Sequence, residues 1–104
     1  VNDRIPVDLW VQQIDGDLSV LHPAANLSEG GIFLYTDRMK VGEEHEIEFT
    51  LPGRTLVLRL RALVAWKIAG HRPAGVGMRF IDVDDGMRQA LHAWAAAQVG
   101  SHAL

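Results

Sequence analysis

The sequence predicts an all-β domain: an antiparallel barrel of about six strands followed by one C-terminal helix. Three observations predict it. Apolar and polar residues alternate with a period of two through short segments from Ile5 to Phe80. Gly, Pro and Asp separate those segments, as in hairpin-rich proteins. After Asp84 the period changes, and Met87, Leu91, Trp94 and Gln98 recur at helical spacing. The 104 residues fit a single domain, with a barrel over about 4–82 and a helix over about 84–99. A chain of this size buries roughly 60–70% of the surface its unfolded form exposes, enough for one modest core.

The first strand places Ile5, Val7, Leu9 and Val11 on one face, with Asp8, Trp10 and Gln12 on the other. Asp15-Gly16-Asp17 reads as a hairpin turn, because Asp-Gly tolerates positive φ. A second strand runs from Leu18 to about Asn26. Pro23 lacks a ladder donor, so an edge or a bulge is expected there. Gly30-Gly31 opens a third strand, Ile32 to Thr36. Val41-Gly42 marks a turn, and Ile47, Phe49 and Leu51 alternate with Glu46, Glu48 and Thr50 in a fourth strand that Pro52-Gly53 ends. From Thr55 to Ile68, the residues Leu56, Leu58, Leu60, Ala62, Val64, Trp66 and Ile68 share one parity. That segment is long for a flat strand, so a bend or bulge is expected. A loop over 69–74 leads to a last strand with Val76, Met78 and Phe80 on one face. In the helix, Ala90 and Ala95 flank the apolar stripe, Asp84 suits the N-cap, Asp85 favours the positive helix start, and Gly100 suits a C-terminal cap.

Composition excludes several classes. Hydrophobic residues make up 48% of the chain, which is globular rather than disordered. There are no cysteines, so disulfides and thiolate metal sites are excluded, and a reducing cytoplasm is the expected location. No apolar run is long enough to cross a bilayer. Net charge is −3, without the basic footprint of a nucleic-acid module. The first residues, Val-Asn-Asp-Arg, are neither a signal peptide nor a start methionine, so the chain is expected to begin inside a longer product.

The stretch Asn26-Leu27-Ser28-Glu29-Gly30-Gly31 holds the most chemistry. Its glycines allow positive φ and close approach of a ligand, and successive amide N–H groups in such a turn form an anion-binding concavity. Asn26 offers a donor and an acceptor, which suits a nucleobase edge. The same residues also serve in ordinary turns, with Asn26 and Ser28 bonding their own backbone. Arg4 precedes the first strand. Its planar fork suits phosphate or the O6/N7 edge of guanine, and it gains weight only if it lies near the Asn-Ser turn.

Together these features resemble the PilZ family of bacterial cyclic di-GMP receptors. Arg4 matches the last arginine of the family's Arg-x-x-x-Arg segment. Asn26, Ser28 and Gly31 match its Asp/Asn-x-Ser-x-x-Gly motif. Phe49-Thr50-Leu51-Pro52, Val64-Ala65-Trp66 and Gly75-Val76-Gly77-Met78-Arg79-Phe80 are similar to the family in order and spacing. The resemblance implies a six-stranded, Greek-key-like barrel with a C-terminal helix. It implies cyclic di-GMP as ligand, with Arg4 at its phosphates or guanines, Asn26 and Ser28 at a guanine, and Gly30 and Gly31 allowing close approach. The chain departs from the family in one respect: the first arginine of Arg-x-x-x-Arg would fall one place before Val1, and an adjacent family arginine falls on Val1 itself. The resemblance therefore also admits a protein-contact adaptor that does not bind the nucleotide. Either role implies a protein partner or a fused domain, and neither implies a nucleic-acid partner, membrane insertion or a cofactor.

Arg79 and Trp10 are secondary candidates. Arg79 points away from the face of Met78 and Phe80, towards a ligand surface or solvent. Trp10 shares parity with Asp8 and Gln12, so it forms a contact surface or lies under the helix. Arg59 and Arg61 share parity with Lys67 and are expected to answer Glu46 and Glu48 across the strands. No catalytic constellation is expected. Glu43, Glu44, Glu46 and Glu48 read as a solvated strand face, and His22, His45, His71, His92 and His102 lack metal-ligand spacing. Ser28 lacks a nucleophile elbow, and Gly75-x-Gly77 precedes a strand where a dinucleotide site needs a helix.

Overall fold

The computed structural model describes residues 4–68, 70 and 74–101. It contains β1 (Ile5–Asp15), β2 (Leu18–Leu27), β3 (Gly31–Leu34), β4 (Glu44–Thr50), β5 (Val57–Ile68), β6 (Gly75–Ile81) and α1 (Asp85–Ser101). The strands close into an antiparallel barrel in the order β1-β2-β3-β6-β5-β4. The chain meanders through β1, β2 and β3, then crosses to the far side of β1 and returns through β4, β5 and β6, which gives the Greek-key-like path. The loop expected over 69–74 lies largely outside the described residues, as do Val1, His71 and His102.

The period-two pattern puts one apolar row from each strand inside. Val11, Leu27, Leu34, Ile47, Ala62 and Val76 are wholly buried in one continuous core. The turns behave as their residues dictate: Gly16, Gly42 and Gly53 all have positive φ, which a residue with a Cβ rarely adopts. β3 ends at Leu34 rather than Thr36, although Tyr35 N–H still donates to Pro23 O at 2.9 Å. Leu56 is exposed because β5 begins only after it.

Three bulges shape the wall. β1 carries an extra residue between Pro6 and Leu9, β2 one between Ala24 and Asn26, and β5 one between Val64 and Trp66. The third corrects the expected β5 parity. One extra residue reverses every side chain beyond it, so Trp66 and Ile68 leave the core and lie 37% and 39% exposed on the outer wall. Pro23 is itself in register with Trp10, and it stands where β2 leaves the barrel: residues 18–22 pair with β1 alone among the described residues.

α1 starts where expected. Asp84 Oδ1 accepts from Met87 N–H at 2.8 Å, a side-chain N-cap. The helix runs through Gly100 to Ser101, so Gly100 is not its cap. Leu91 and Trp94 are buried against the core, and Trp94 Nε1–H donates to Pro52 O at 3.0 Å. His92 Nδ1 lies 3.1 Å from Glu29 Oε2. These contacts set the helix over the barrel end formed by the β2–β3 and β4–β5 turns.

The opposite end is closed by polar groups. His22, buried, shares a 2.8 Å hydrogen bond with Gln13 Oε1, and Gln13 Nε2 lies 3.1 Å from His45 Nδ1. His45 Nε2 reaches Glu43 Oε1 at 3.1 Å, and Lys40 N–H donates to the same oxygen at 2.9 Å. Burial holds the His22 imidazole below its ordinary pKa, with His45 and Arg38 adding charge repulsion. The Lys40 amide and His45 hold Glu43 below the usual carboxylate range. On the outside, Arg59 pairs with Glu46 at 3.0 Å and Arg61 with Glu44 at 3.7 Å. The expected pairing is thus shifted diagonally, and Glu48, opposite Arg59, adds only a through-space attraction. Lys67, beyond the bulge, leaves the stripe and donates to Asp37 O and Met39 O.

Candidate functional site

Arg4 and the turn after β2 meet. Arg4 Nη1–H donates to Asn26 Oδ1 at 3.3 Å. The strand register explains the meeting: Ile5 pairs with Leu27 and Pro6 with Asn26, so the residue before β1 must emerge beside the end of β2. The guanidinium carbon also stands 5.2 Å from the centroid of the Trp66 ring, within cation–π reach.

The turn itself is tightly held. Ser28 N–H donates to Gly31 O at 2.8 Å, Gly31 N–H donates to Ser28 Oγ at 3.1 Å, and Ser28 Oγ lies 3.3 Å from Gly31 O. The buried Ser28 hydroxyl therefore braces its own turn. Gly30 and Gly31 are not at positive φ, contrary to one reason expected for them. Gly31 is needed because β3 and β6 pack closely: a Cβ there would run into the backbone carbonyl of Met78.

These residues line one shallow cleft of about 190 Å³. Arg4, Ser28, Gly30, Gly31 and Arg79 all border it, joined by Ala65, Trp66 and Met78. Arg79 arrives through the β3–β6 register, in which it lies opposite Gly31. Neither Arg4 nor Arg79 has a carboxylate partner among the described residues. The cleft thus offers two guanidiniums, the amide of Asn26 at its rim and one large aromatic face. Trp10 is not part of it. That ring is 61% exposed on β1, opposite Pro23, and neither the cleft nor α1 covers it.

Trp66 is the residue that strand parity misplaces. The Ala65 bulge turns it outward, and Gly77 across the strand leaves room for it, since a Cβ there would overlap the indole ring. Gly75 serves Phe33 in the same way. The Phe33 ring stands 5.3 Å from Trp66 and 5.6 Å from Tyr35, so the shelf is backed by aromatic contacts. A legible signal was available: two glycines in Gly75-x-Gly77 on a strand that must face large rings on its neighbours. Among the described residues no group of three potential metal ligands occurs, and no helix is long and apolar enough to cross a membrane.

A closed six-stranded antiparallel barrel with one C-terminal helix, carrying an Asn-x-Ser-x-x-Gly turn on its wall, defines the class of this chain. It belongs to the PilZ domain family, whose model matches residues 2–97. Among solved structures, the fold is similar to the inhibitor of motility MotI/DgrA of Bacillus subtilis. That match has a TM-score of 0.84 and 18% identity, over 99% of this chain and 52% of the other. It is similar too to YcgR of Escherichia coli in complex with c-di-GMP, with a TM-score of 0.78 and 16% identity, over 97% of this chain and 46% of the other. A third likeness is the PilZ domain of CeSA from a cellulose-synthesizing bacterium, with a TM-score of 0.62 and 18% identity, over 92% of this chain and 97% of that one. The chain spans about half the length of the first two. Comparison with curated proteins gave no match.

Proposed function

We propose that this domain is a cyclic di-GMP receptor that binds the nucleotide on the outer wall between Arg4, the Asn26–Gly31 turn and Trp66. One observation carries the reading: the Arg4 guanidinium touches both the Asn26 amide and the Trp66 face. A cyclic dinucleotide presents phosphates, guanine edges and flat bases. Guanidinium forks suit the first two, an amide suits a base edge, and an indole with a guanidinium suits stacking. Ser28 supports the site by holding the turn as much as by any direct contact.

The cleft is smaller than the roughly 300–1,000 Å³ of pockets that enclose drug-sized ligands. It has room for one base, and the rest of the ligand would lie across open wall. Binding would order the segment leading into Arg4 against the barrel, and that ordering would pass to a partner or a fused domain in the cytoplasm. The role is binding, not catalysis.

A second reading, an adaptor that works by protein contact, is favoured by one observation. Val1 stands where the family often has a second arginine. Each absent charge-assisted bond removes roughly 1.5–3 kcal/mol, or about one to two decades of affinity. Calorimetry with cyclic di-GMP, on this chain and on a version extended upstream, separates the two. Heat that saturates, and that Arg4→Ala abolishes, supports the receptor. No heat from either version at tens of micromolar supports the adaptor.

A further inference from the structure

We infer that the exposed edge of β2, residues 18–22, is a self-pairing strand through which two copies of this chain associate antiparallel about Val20. Four observations on the hairpin lead there.

The edge is open. β2 pairs with β3 only from Ala24 onward, and Tyr35 N–H takes Pro23 O. Backbone groups alternate in direction along a strand. Since Pro23 O faces the β3 side, the N–H and C=O groups of Leu21 and Ser19 face it too, and they have no partner there among the described residues. Water satisfies such a row in the single chain, and an added strand can replace that water along its whole length.

The edge is also undefended. Leu18, Val20 and Leu21 are 71%, 43% and 54% exposed. No charged residue lies between Asp17 and the end of β2 at Leu27, whereas sheet edges that must stay single carry charges or inward-turned bulges.

The edge is self-complementary. In an antiparallel pair centred on Val20, Ser19 of one copy faces Leu21 of the other, and each such pair exchanges two N–H···O bonds. Both pairs are of the kind whose backbone groups point at the partner strand, so the register closes with four bonds and no orphan. The two Val20 side chains then meet in the closer, non-hydrogen-bonded position.

Charge favours this occupant over an arbitrary strand. Asp17, at the hairpin tip of one copy, falls opposite Pro23 of the other, beside the loop that carries Arg38. That guanidinium is exposed, lies near enough to His22 to act on it electrostatically, and has no carboxylate partner among the described residues. The twofold axis repeats the Asp17–Arg38 complementarity at both ends. Asn26 lies on the covered part of β2 and Ser28 in the turn after it, so pairing leaves the candidate cleft free.

Sedimentation equilibrium of the chain, from a few to several hundred micromolar, tests this. The expected result is a concentration-dependent dimer, whose dissociation constant Val20→Lys raises by about tenfold or more. Circular dichroism and thermal melts should show that variant folded, since Val20 points to solvent. Arg38→Glu and Asp17→Arg should each weaken the dimer, and the double exchange should restore it. A monomer throughout the range overturns the inference and leaves the edge to a strand from another protein. A dimer that Val20→Lys leaves intact, or that the charge exchange fails to restore, overturns it equally.

Discussion

Gly31 and Gly77 both lie where a Cβ has no room, but against different obstacles. At Gly31 the obstacle is the Met78 carbonyl, fixed within the sheet, whereas at Gly77 it is the Trp66 ring, which can swing. Gly31→Ala should therefore lower the unfolding free energy by about 1–3 kcal/mol, the usual cost of overpacking, as read by urea denaturation. Gly77→Ala should leave stability closer to wild type and instead displace the indole, seen as a shift of the Trp66 indole N–H signal in NMR. Ser28→Ala should cost about 1 kcal/mol, because the part-buried Gly31 N–H loses its acceptor. His22 gives a pH dependence of definite sign. Burial, then His45 and Arg38, keeps its folded pKa below the ordinary 6.5. The unfolded chain therefore binds the proton more readily, and stability rises with pH. It is full above the unfolded value and lost as the pH falls below 6.5 towards the folded value. His22→Gln should flatten thermal melts recorded across that window; an unchanged slope would assign it to other groups.

At the scale of elements, alternation made most of the barrel legible. Ile47 and Phe49 in β4, and Val76, Met78 and Phe80 in β6, face inward as their spacing predicts. The Asp84 cap and the Leu91–Trp94 stripe of α1 were equally readable. What escaped was the consequence of each bulge. A bend in the long fifth segment was expected, but its position at Ala65 decides whether Trp66 packs inside or lines the cleft, and no pattern within that segment marks the position. Gly100 failed as a cap because the helix continues past it. The site was legible in its parts, Arg4 and the Asn26–Gly31 turn, but their contact depends on the β1–β2 register. Trp10 was a secondary candidate from its strand parity, and the register sets it opposite Pro23, away from the cleft. α1 itself is held by Trp94, which is buried and hydrogen-bonded to Pro52. Trp94→Ala should remove about 3–5 kcal/mol of stability in chemical denaturation. His92→Ala breaks only an exposed contact to Glu29, so it should change stability by less than about 1 kcal/mol.

At the scale of the whole molecule, the barrel separates three surfaces. One end is covered by α1, the other is sealed by the Glu43–His45–Gln13–His22 chain, and the wall between carries the cleft. The cleft-lining groups come from the start of β1, the β2–β3 turn, the β5 bulge and β6, so the cleft exists only when the barrel is closed. That dependence gives the central claim its most direct measurement, a titration of the isotopically labelled chain with cyclic di-GMP followed by amide and indole NMR shifts. The account predicts concerted shifts at Ser28, Gly30, Gly31, Ala65 and Arg79 and at the Trp66 indole, saturating together, with Trp10 unmoved. A titration in which those signals stay still, or in which the shifts gather around Trp10 and the β1–β2 hairpin, would contradict it.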